Sequence, residues 1–151
     1  PVPWFKEIKS YEDLQSELKN IYSKYVLKPV DSRGARGVLQ ISGQSDLKKA
    51  FNESISYSDC GKLILEKFIS GPQISSESII VNKKIFSIAF ADRNYEYLEK
   101  YSPYIIENGG EMPSKLNSFL IDKIKLLLDK VSRALDIENG ILKHSNKDST
   151  L

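Results

Sequence analysis

The chain has 151 residues, 40% hydrophobic and 28% charged, a composition typical of a globular protein with enough apolar surface for a core. Its net charge of +2, from 22 basic and 20 acidic residues, is too small to indicate nucleic acid as the general partner. No apolar run approaches the roughly 18 residues of a membrane span, and the single cysteine, Cys60, excludes an internal disulfide. We therefore expect a cytoplasmic protein without a membrane partner. Because the sequence opens on Pro1 rather than methionine, we also expect a fragment of a longer chain.

Residues 1–70 are predicted to form a small lobe with the order α-β-β-α-β. Ser10 is a suitable N-cap for a helix over about Tyr11–Ser23. Two short apolar runs then flank a polar loop, Ser45 and Asp46 can cap a second helix, and residues 63–69 form an apolar run of strand length. The apolar positions at helical spacing are Leu14, Leu18, Ile21 and Tyr22 in the first helix, and Leu47, Ala50, Phe51 and Ile55 in the second.

Residues 71–151 are predicted to form part of a larger lobe built on antiparallel strands. Residues 74–81 and 85–91 favour a hairpin that turns at residues 82–84. Residues 92–110 are less regular, and only residues 104–106 among them could form a strand. A long helix is expected to begin at Pro113-Ser114 and to be capped by Asn139-Gly140, before a strand at residues 141–143. Its apolar stripe is Leu116, Leu120, Ile124, Leu127, Val131 and Leu135.

The loop between the first two predicted strands has a composition suited to binding anions. Gly34 and Gly37 allow its backbone to turn sharply and to approach a ligand closely. Successive backbone N–H groups in such a loop bind anions, and Lys28, Arg33 and Arg36 add positive charge. The stretch predicts a strand, a phosphate-binding loop and a second strand. Taken alone, it is equally well explained as a hairpin with a solvated basic tip.

A second candidate site follows at the end of the small lobe, over residues 66–73. A purine base needs an apolar slot with a donor and an acceptor for its edge, which a strand between two lobes can supply. Glu66 can accept a hydrogen bond from an exocyclic amine, and Gln73 lies far enough along the chain to reach a ribose hydroxyl. Taken alone, Glu66 and Lys67 are better explained as an exposed charged pair on an edge strand.

The layout of these two sites resembles the ATP-grasp superfamily, which includes biotin carboxylase, carbamoyl-phosphate synthase and D-alanine–D-alanine ligase. The resemblance extends from about Phe5 to Lys143. It implies an α+β, ATP-grasp fold with a small α-β-β-α-β lobe, then a larger antiparallel-sheet lobe with a long packing helix that is truncated at the C-terminus. The matching segments are Val26–Pro29, Ser32–Val38, Leu65–Pro72, Glu111–Ser114 and Ala134–Gly140.

The resemblance implies a role for each matching residue and implies ATP as the cofactor. Lys28 is similar to the family lysine that holds the α- and β-phosphates, and the loop after it resembles the glycine loop that closes over the triphosphate. Glu66 and Lys67 resemble the pair that reads the adenine amine, Lys67 through its backbone, while Ile69 would pack against the ring. Gln73 stands where many members have a ribose-binding carboxylate, so it supplies no charge. The implied set is Lys28, Ser32, Arg33, Gly34, Ala35, Arg36, Gly37, Glu66, Lys67, Ile69 and Gln73.

Two parts of the family pattern fall outside this sequence. A second ATP lysine usually precedes the first helix, on an upstream segment. The acids that hold Mg²⁺ usually come at and after the strand at residues 141–143, where this sequence reads His144-Ser145-Asn146-Lys147-Asp148. We therefore expect the Mg²⁺ ligands beyond the end of the chain, and ATP binding without hydrolysis above background. A zinc site at His144 is not expected, because it lacks cysteine or histidine partners.

The leading hypothesis is the ATP-binding part of a ligase that activates a carboxylate as an acyl phosphate for an amine or similar acceptor. Its partners would be an adenine nucleotide and the remaining domains of the parent ligase. The alternative is a non-catalytic nucleotide- or protein-binding module that keeps the ATP-grasp scaffold. A third hypothesis is RNA or single-strand binding through basic residues and tyrosines. Acids among those tyrosines oppose it by repelling phosphates, namely Glu96, Glu99 and Glu107.

Overall fold

The computed structural model of the protein describes residues 3–19 and 23–147. Within them the chain forms three helices and two four-stranded antiparallel sheets, which confirms the predicted α+β class. It divides into two compact units, named here unit 1 (Pro1–Ile69 and Tyr95–Ile106) and unit 2 (Ser70–Asn94 and Glu107–Leu151). None of the described helices combines the length and the apolar character needed to cross a membrane.

In the sheet of unit 1, the strand Leu63–Lys67 (β4) lies between the strands Phe5–Ile8 (β1) and Tyr25–Pro29 (β2), and the strand Leu39–Ile41 (β3) lies at the edge beside β2. The strand order is β1-β4-β2-β3, and all neighbours are antiparallel. Phe5 lies opposite Glu66, Glu66 lies opposite Val26, and Val26 lies opposite Gln40, so these four residues form one row across the sheet.

Two helices, α1 (Tyr11–Glu17) and α2 (Leu47–Ile55), help to bury the core of unit 1. Ser10 and Asp13 form a reciprocal capping box at the start of α1, and Asp46 accepts from the Lys49 N–H at the start of α2, as predicted. The core is composed of alternate strand residues and the apolar helix faces, namely Ile8, Leu14, Leu18, Leu27, Leu39, Ile41, Ala50, Leu63 and Leu65.

Two predictions for unit 1 are corrected by the structure. The first helix ends at Glu17, with Leu18 as its C-cap, rather than at Ser23. Ile21 and Tyr22, which the helical spacing included, lie outside the described residues. Strand β1 was not predicted at all. Of its four residues only Ile8 is buried, so the edge strand lacks the alternating pattern that identifies a half-buried strand.

The segment Tyr95–Ile106 packs with unit 1, whereas the division at residue 70 had assigned it to the second lobe. The backbone N–H of Gln40 donates to the Pro103 carbonyl at 2.7 Å, and Lys24 pairs with Glu99 at 2.6 Å. Of the strand expected at residues 104–106, the structure has a single bridge between Tyr104 and Leu39. The segment therefore completes the edge of the unit 1 sheet at β3.

Unit 2 is built on a long hairpin, β5 (Gln73–Val81) and β6 (Lys84–Asn94), which confirms the predicted turn after Val81. Strand β7 (Gly109–Glu111) pairs with β6 on one side, and β8 (Gly140–Lys147) pairs with β5 on the other. A bulge interrupts the hairpin ladder between Glu77 and Ser78. The strand predicted at residues 141–143 is thus the first part of a longer one.

Helix α3 (Ser118–Ala134) covers one face of the unit 2 sheet, and Ile124 and Leu128 on it pack with Ile74 of β5. It begins at an Asn117 cap rather than at Pro113-Ser114, because Ser114 and Lys115 donate to the Asp92 carboxylate instead. It ends at Ala134 with Leu135 as its C-cap, and Asp136 follows with a φ of +48°. The expected cap at Asn139-Gly140 is wrong: Gly140 already belongs to β8.

Candidate functional site

The face of the unit 1 sheet that does not contact its core carries two of the predicted site residues. Leu27 and Leu65 point into the core and are fully buried, so their neighbours Lys28 and Glu66 point to the opposite face. The Lys28 Nζ lies 2.7 Å from the Glu66 Oε2, and 35% and 23% of the two side chains are exposed. The structure thus brings the predicted phosphate lysine and the predicted base-reading acid into one ion pair.

The strand register explains why these two side chains meet. Glu66 lies opposite Val26, and Lys28 lies opposite Ile64, so Lys28 and Glu66 are diagonal neighbours on adjacent antiparallel strands. Diagonal positions are within reach of long side chains. Because both groups are half-buried, the pair is screened less than a fully exposed surface pair. Val26 lies in the same row as Glu66 and adds apolar surface beside it.

The glycine loop between β2 and β3 is hydrogen-bonded at both of its ends. At the start, the Asp31 carboxylate accepts from the Cys60 N–H at 2.7 Å and from the Ser58 hydroxyl at 2.8 Å. Hydrogen bonds from the Cys60 side chain and backbone, and then from Ser58, lower the pKa of Asp31. At the other end, the buried Ser54 hydroxyl donates to the Gly37 carbonyl at 2.7 Å. Both contacts connect the loop to the region from the end of α2 to the start of β4.

Gly37 is the glycine that the packing of this loop requires. Its φ is +70°, and a Cβ there would lie 2.9 Å from the Tyr57 ring, 3.0 Å from the Pro29 Cγ and 3.1 Å from the Ser54 carbonyl oxygen. Gly34 has a similar φ of +66°, but no atom lies within 4 Å of the position of its Cβ. The loop is therefore tightly packed at Gly37 and open at Gly34.

A cavity of about 250 Å³ lies against this loop, with basic side chains around it. Lys28, Arg33 and Arg36 line it, together with Ser32 and the apolar side chain of Val38. Within residues 3–19 and 23–147, neither arginine is engaged in an ion pair, and both are exposed. The cavity can therefore offer three positive charges and a hydroxyl group to an anion of the size of a phosphate.

A larger cavity of about 540 Å³ lies elsewhere in unit 1, beside Tyr104. It is lined by the carboxylates of Asp46 and Glu53, and the Tyr104 hydroxyl donates to Glu53 at 3.4 Å. This hydrogen bond raises the pKa of the Tyr104 hydroxyl. Because two carboxylates face it and Lys49 is its one basic side chain, it suits phosphate less well than the cavity at Lys28.

The strand that was expected to read a base has its N–H groups partly occupied. The Lys67 N–H donates to the Trp4 carbonyl, and the Phe68 N–H donates to the Lys24 carbonyl, each at 3.0 Å. The Lys67 side chain also points to the opposite face from Glu66, since strand residues alternate. Within the described residues, no loop or cap hydrogen bond engages the Lys67 carbonyl or the N–H of Ile69, which follows β4, so these two groups are the backbone candidates for contact with a ligand.

Gln73 is the one predicted site residue that lies in unit 2. It is the first residue of β5, half-buried, and it is paired with Arg93 and Lys147 in the backbone ladder. The other ten predicted residues all belong to unit 1, in β2, the glycine loop, β4 and the residues just after β4.

Asp92 and Arg93, two charged residues of β6, have structural partners in unit 2. Asp92 accepts hydrogen bonds from the Ser114 hydroxyl and the Lys115 N–H. Arg93 forms a two-pronged contact with Glu107, and it lowers the pKa of the Glu107 carboxyl. Both residues therefore fix the region around β7.

His144 is half-buried in β8, and burial lowers its pKa. Its Nδ1 has no hydrogen-bond partner among the described residues. No group of three or more His, Cys, Asp and Glu side chains within the described residues could hold a metal ion.

Sequence reasoning missed the two residues that anchor the glycine loop, Asp31 and Ser54. Asp31 directly follows the first strand, and an acid at such a position commonly bonds nearby backbone N–H groups, so a signal was present. The partners of Asp31 are 27 and 29 residues away in sequence, and Ser54 is 17 residues from Gly37. Local sequence could therefore suggest Asp31 as a hydrogen-bonding residue, but it could not identify the partners of Asp31 or the role of Ser54, which depend on the packing around the end of α2.

Comparison with known proteins identifies the fold and the family. The solved structures that resemble this chain include the VanG D-Ala:D-Ser ligase from Enterococcus faecalis, with a TM-score of 0.77 and 15% identity over 99% of this chain and 44% of that one. The L-amino acid ligase from Bacillus licheniformis has a TM-score of 0.72 and 17% identity, over 99% and 34% of the two chains. An ADP complex of N5-carboxyaminoimidazole ribonucleotide synthetase has a TM-score of 0.73 and 16% identity, over 99% of this chain and 38% of that one.

This chain therefore spans less than half the length of each of these proteins. A comparison with curated protein sequences gives no match. The family model for the ATP-grasp domain matches residues 1–141, which is most of the chain. The chain belongs to the ATP-grasp family.

Proposed function

We propose that this chain supplies part of the nucleotide site of an ATP-dependent carboxylate ligase, which forms an acyl phosphate for attack by an amine or similar acceptor. The family match supports nucleotide binding, and two of the similar structures carry the name ligase. The structure of the synthetase is an ADP complex. The proposal places the protein in the cytoplasm, with an adenine nucleotide and the other domains of the ligase as its partners.

The observation that carries the proposal is the position of the Lys28–Glu66 pair. Its lysine lines the basic cavity at the glycine loop, while its glutamate lies on β4, which ends at Lys67, two residues before Ile69. Phosphates need concentrated positive charge and N–H donors, and a base needs an acceptor beside an apolar surface. The half-buried Lys28–Glu66 pair of unit 1 therefore joins a cation that could contact phosphates to an acceptor that could bind the amine of a base.

The roles proposed for the individual residues follow from the groups that remain available. Lys28 would contact the phosphates, with the glycine loop and its arginines around them. Glu66 and the Lys67 carbonyl would accept from the exocyclic amine of adenine, and the Ile69 N–H would donate to a ring nitrogen. The N–H groups of Lys67 and Phe68 already donate to other carbonyls. We therefore propose that Lys67 contacts the base through its backbone carbonyl.

The test is a calorimetric titration of ATP, in buffer with Mg²⁺, into the wild-type chain and a Lys28→Ala variant. We expect measurable binding by the wild type and a loss of about 10- to 100-fold in the variant, since hydrogen bonds to charged groups contribute about 1.5–3 kcal/mol. Lys6→Ala is the matched control, because Lys6 is in the same sheet but pairs with Glu17. Equal ATP affinity in the Lys28→Ala variant and the wild type would contradict the proposal.

A further inference from the structure

The Lys28–Glu66 ion pair has a consequence for how the two halves of a nucleotide bind. The ammonium group that would hold a phosphate is already 2.7 Å from a carboxylate, and both side chains are at least half removed from solvent. A phosphate that approaches Lys28 must therefore compete with Glu66 for the same cation. It also brings further negative charge close to the Glu66 carboxylate.

The rest of the basic cavity does little to offset this competition. Arg33 and Arg36 also line the cavity, but both are exposed, so water and salt screen their charges more strongly. Lys28 is the less exposed cation and lies at the end of a rigid strand, whereas both arginines are on the loop. An anion without any group that satisfies Glu66 would thus leave a half-buried carboxylate without its partner.

A purine amine supplies the group that a bare anion lacks. An N–H donor placed at Glu66 gives the carboxylate a new hydrogen bond in place of the one from Lys28. The Lys67 carbonyl, one residue further along the strand, can accept from the second hydrogen of the same amine. Lys28 is then able to turn to the phosphates without leaving Glu66 unpaired.

We propose that the Lys28–Glu66 pair makes phosphate binding depend on base recognition, so that the site selects molecules with an amine donor and a polyphosphate together. This inference rests on the proposed function and adds to it a coupling between two parts of one ligand. Glu66 acts here in two ways: it accepts from the base, and it keeps Lys28 from binding inorganic polyphosphate.

The experiment uses inorganic tripolyphosphate, which carries the phosphates without the base. Calorimetric titrations compare the wild-type chain with Glu66→Gln, which keeps the shape of the side chain and removes its charge. We expect Glu66→Gln to bind tripolyphosphate about fivefold more tightly, since a partly exposed ion pair is typically worth up to about 1 kcal/mol. Glu17→Gln, which also removes a carboxylate paired with a lysine of this sheet, should leave the affinity unchanged.

Two further arms make the result specific. A Lys28→Ala/Glu66→Gln double variant should lose the gain, because the released ammonium is the cause of it. The ratio of ATP affinity to tripolyphosphate affinity should fall at least fivefold in Glu66→Gln, since the neutral Gln carbonyl is a weaker acceptor for the adenine amine than the carboxylate, while tripolyphosphate gains Lys28. Far-UV circular dichroism of each variant confirms that it is folded.

The inference would be overturned if the wild type and Glu66→Gln bound tripolyphosphate equally or not at all. An equal gain in Glu17→Gln would also overturn it, because the effect would then come from net charge alone. Failure of the proposed function has a different signature, namely ATP binding that Lys28→Ala leaves unchanged. The two outcomes are separate because the tripolyphosphate arm does not require ATP binding.

Discussion

The two sheets of this protein have the same number of strands but differ in the face that lies away from the core. In unit 1 that face carries the half-buried Lys28–Glu66 pair beside a basic cavity. In unit 2 the corresponding face carries large apolar side chains that remain exposed, including Phe86 at 56% and Ile141 at 79%. The core-directed faces are alike in that both carry buried aliphatic side chains and both pack against helices.

This difference separates the residues that stabilise the fold from those that define the candidate site. Burial of aliphatic side chains on one face is what an antiparallel sheet needs in order to fold. The opposite face is free to carry other residues, so charge placed there at half burial has to be explained by its own interactions. In unit 1 the half-buried charged residues on this face include Lys28 and Glu66, which pair with each other and belong to the nucleotide site that we propose.

The largest expected effect compares buried core residues of the two units with an exposed residue on the unit 2 face that lies away from the core. Leu65→Ala removes a fully buried side chain from unit 1 and should lower the free energy of unfolding by about 2–5 kcal/mol. Leu128→Ala should do the same in unit 2. Phe86→Ala removes an exposed ring and should cost less than about 1 kcal/mol. Denaturant unfolding measures all three, and a Phe86→Ala loss as large as that of Leu65→Ala would remove the distinction between the faces.

An intermediate effect is expected within the glycine loop. Gly37→Ala and Gly34→Ala both place a Cβ at positive φ, which costs about 1–2 kcal/mol in each case. Only Gly37→Ala also creates contacts near 3 Å with Tyr57, Pro29 and Ser54, so it should cost about 1–3 kcal/mol more. Thermal or denaturant unfolding of the two variants gives the difference directly. Equal losses would show that Gly37 is not the packed end of the loop.

The smallest effect concerns the pH dependence of unit 2. Burial lowers the pKa of His144 below its usual value of 6.5, so the unfolded chain takes up the proton at a higher pH than the folded chain does. Its contribution to stability is therefore greatest above pH 6.5 and is lost as the pH falls below that value. We expect the free energy of unfolding to fall less between pH 7.5 and 5.5 in His144→Gln than in the wild type. The same fall in both proteins would contradict this.

Much of the fold could be predicted from local sequence signals. The Asp46 cap, the hairpin around residues 82–83 and the strand after the glycine loop all rely on side-chain chemistry within a few residues. Strand β1 could not be predicted, since its stability comes from pairing with β4 rather than from its own pattern. The start of α3 was misplaced because Asp92, more than 20 residues upstream, accepts hydrogen bonds from Ser114 and Lys115.

The candidate site was predictable as a set of residue types but not as an arrangement. The lysine, the glycines and the arginines of the loop are visible in the sequence, and the structure places the lysine and the two arginines around one cavity. The Lys28–Glu66 contact depends on β4 lying beside β2 in one particular register, which no local signal specifies. The same holds for the Trp4 and Lys24 carbonyls that occupy the N–H groups of Lys67 and Phe68.

The most direct test of the central claim is the ratio of ATP to GTP affinity in the wild-type chain and in Glu66→Gln. If Glu66 accepts a hydrogen bond from the adenine amine, then in GTP a carbonyl oxygen takes the place of that amine. This oxygen and Glu66 are both acceptors, so a buried group is left without a hydrogen bond, which costs roughly 1–3 kcal/mol of binding free energy. We therefore predict a preference for ATP of about five- to a hundredfold in the wild type. In Glu66→Gln it should be reduced, because the amide can rotate and donate to guanine. Equal affinities for ATP and GTP in the wild type, or an unchanged preference in Glu66→Gln, would contradict the account.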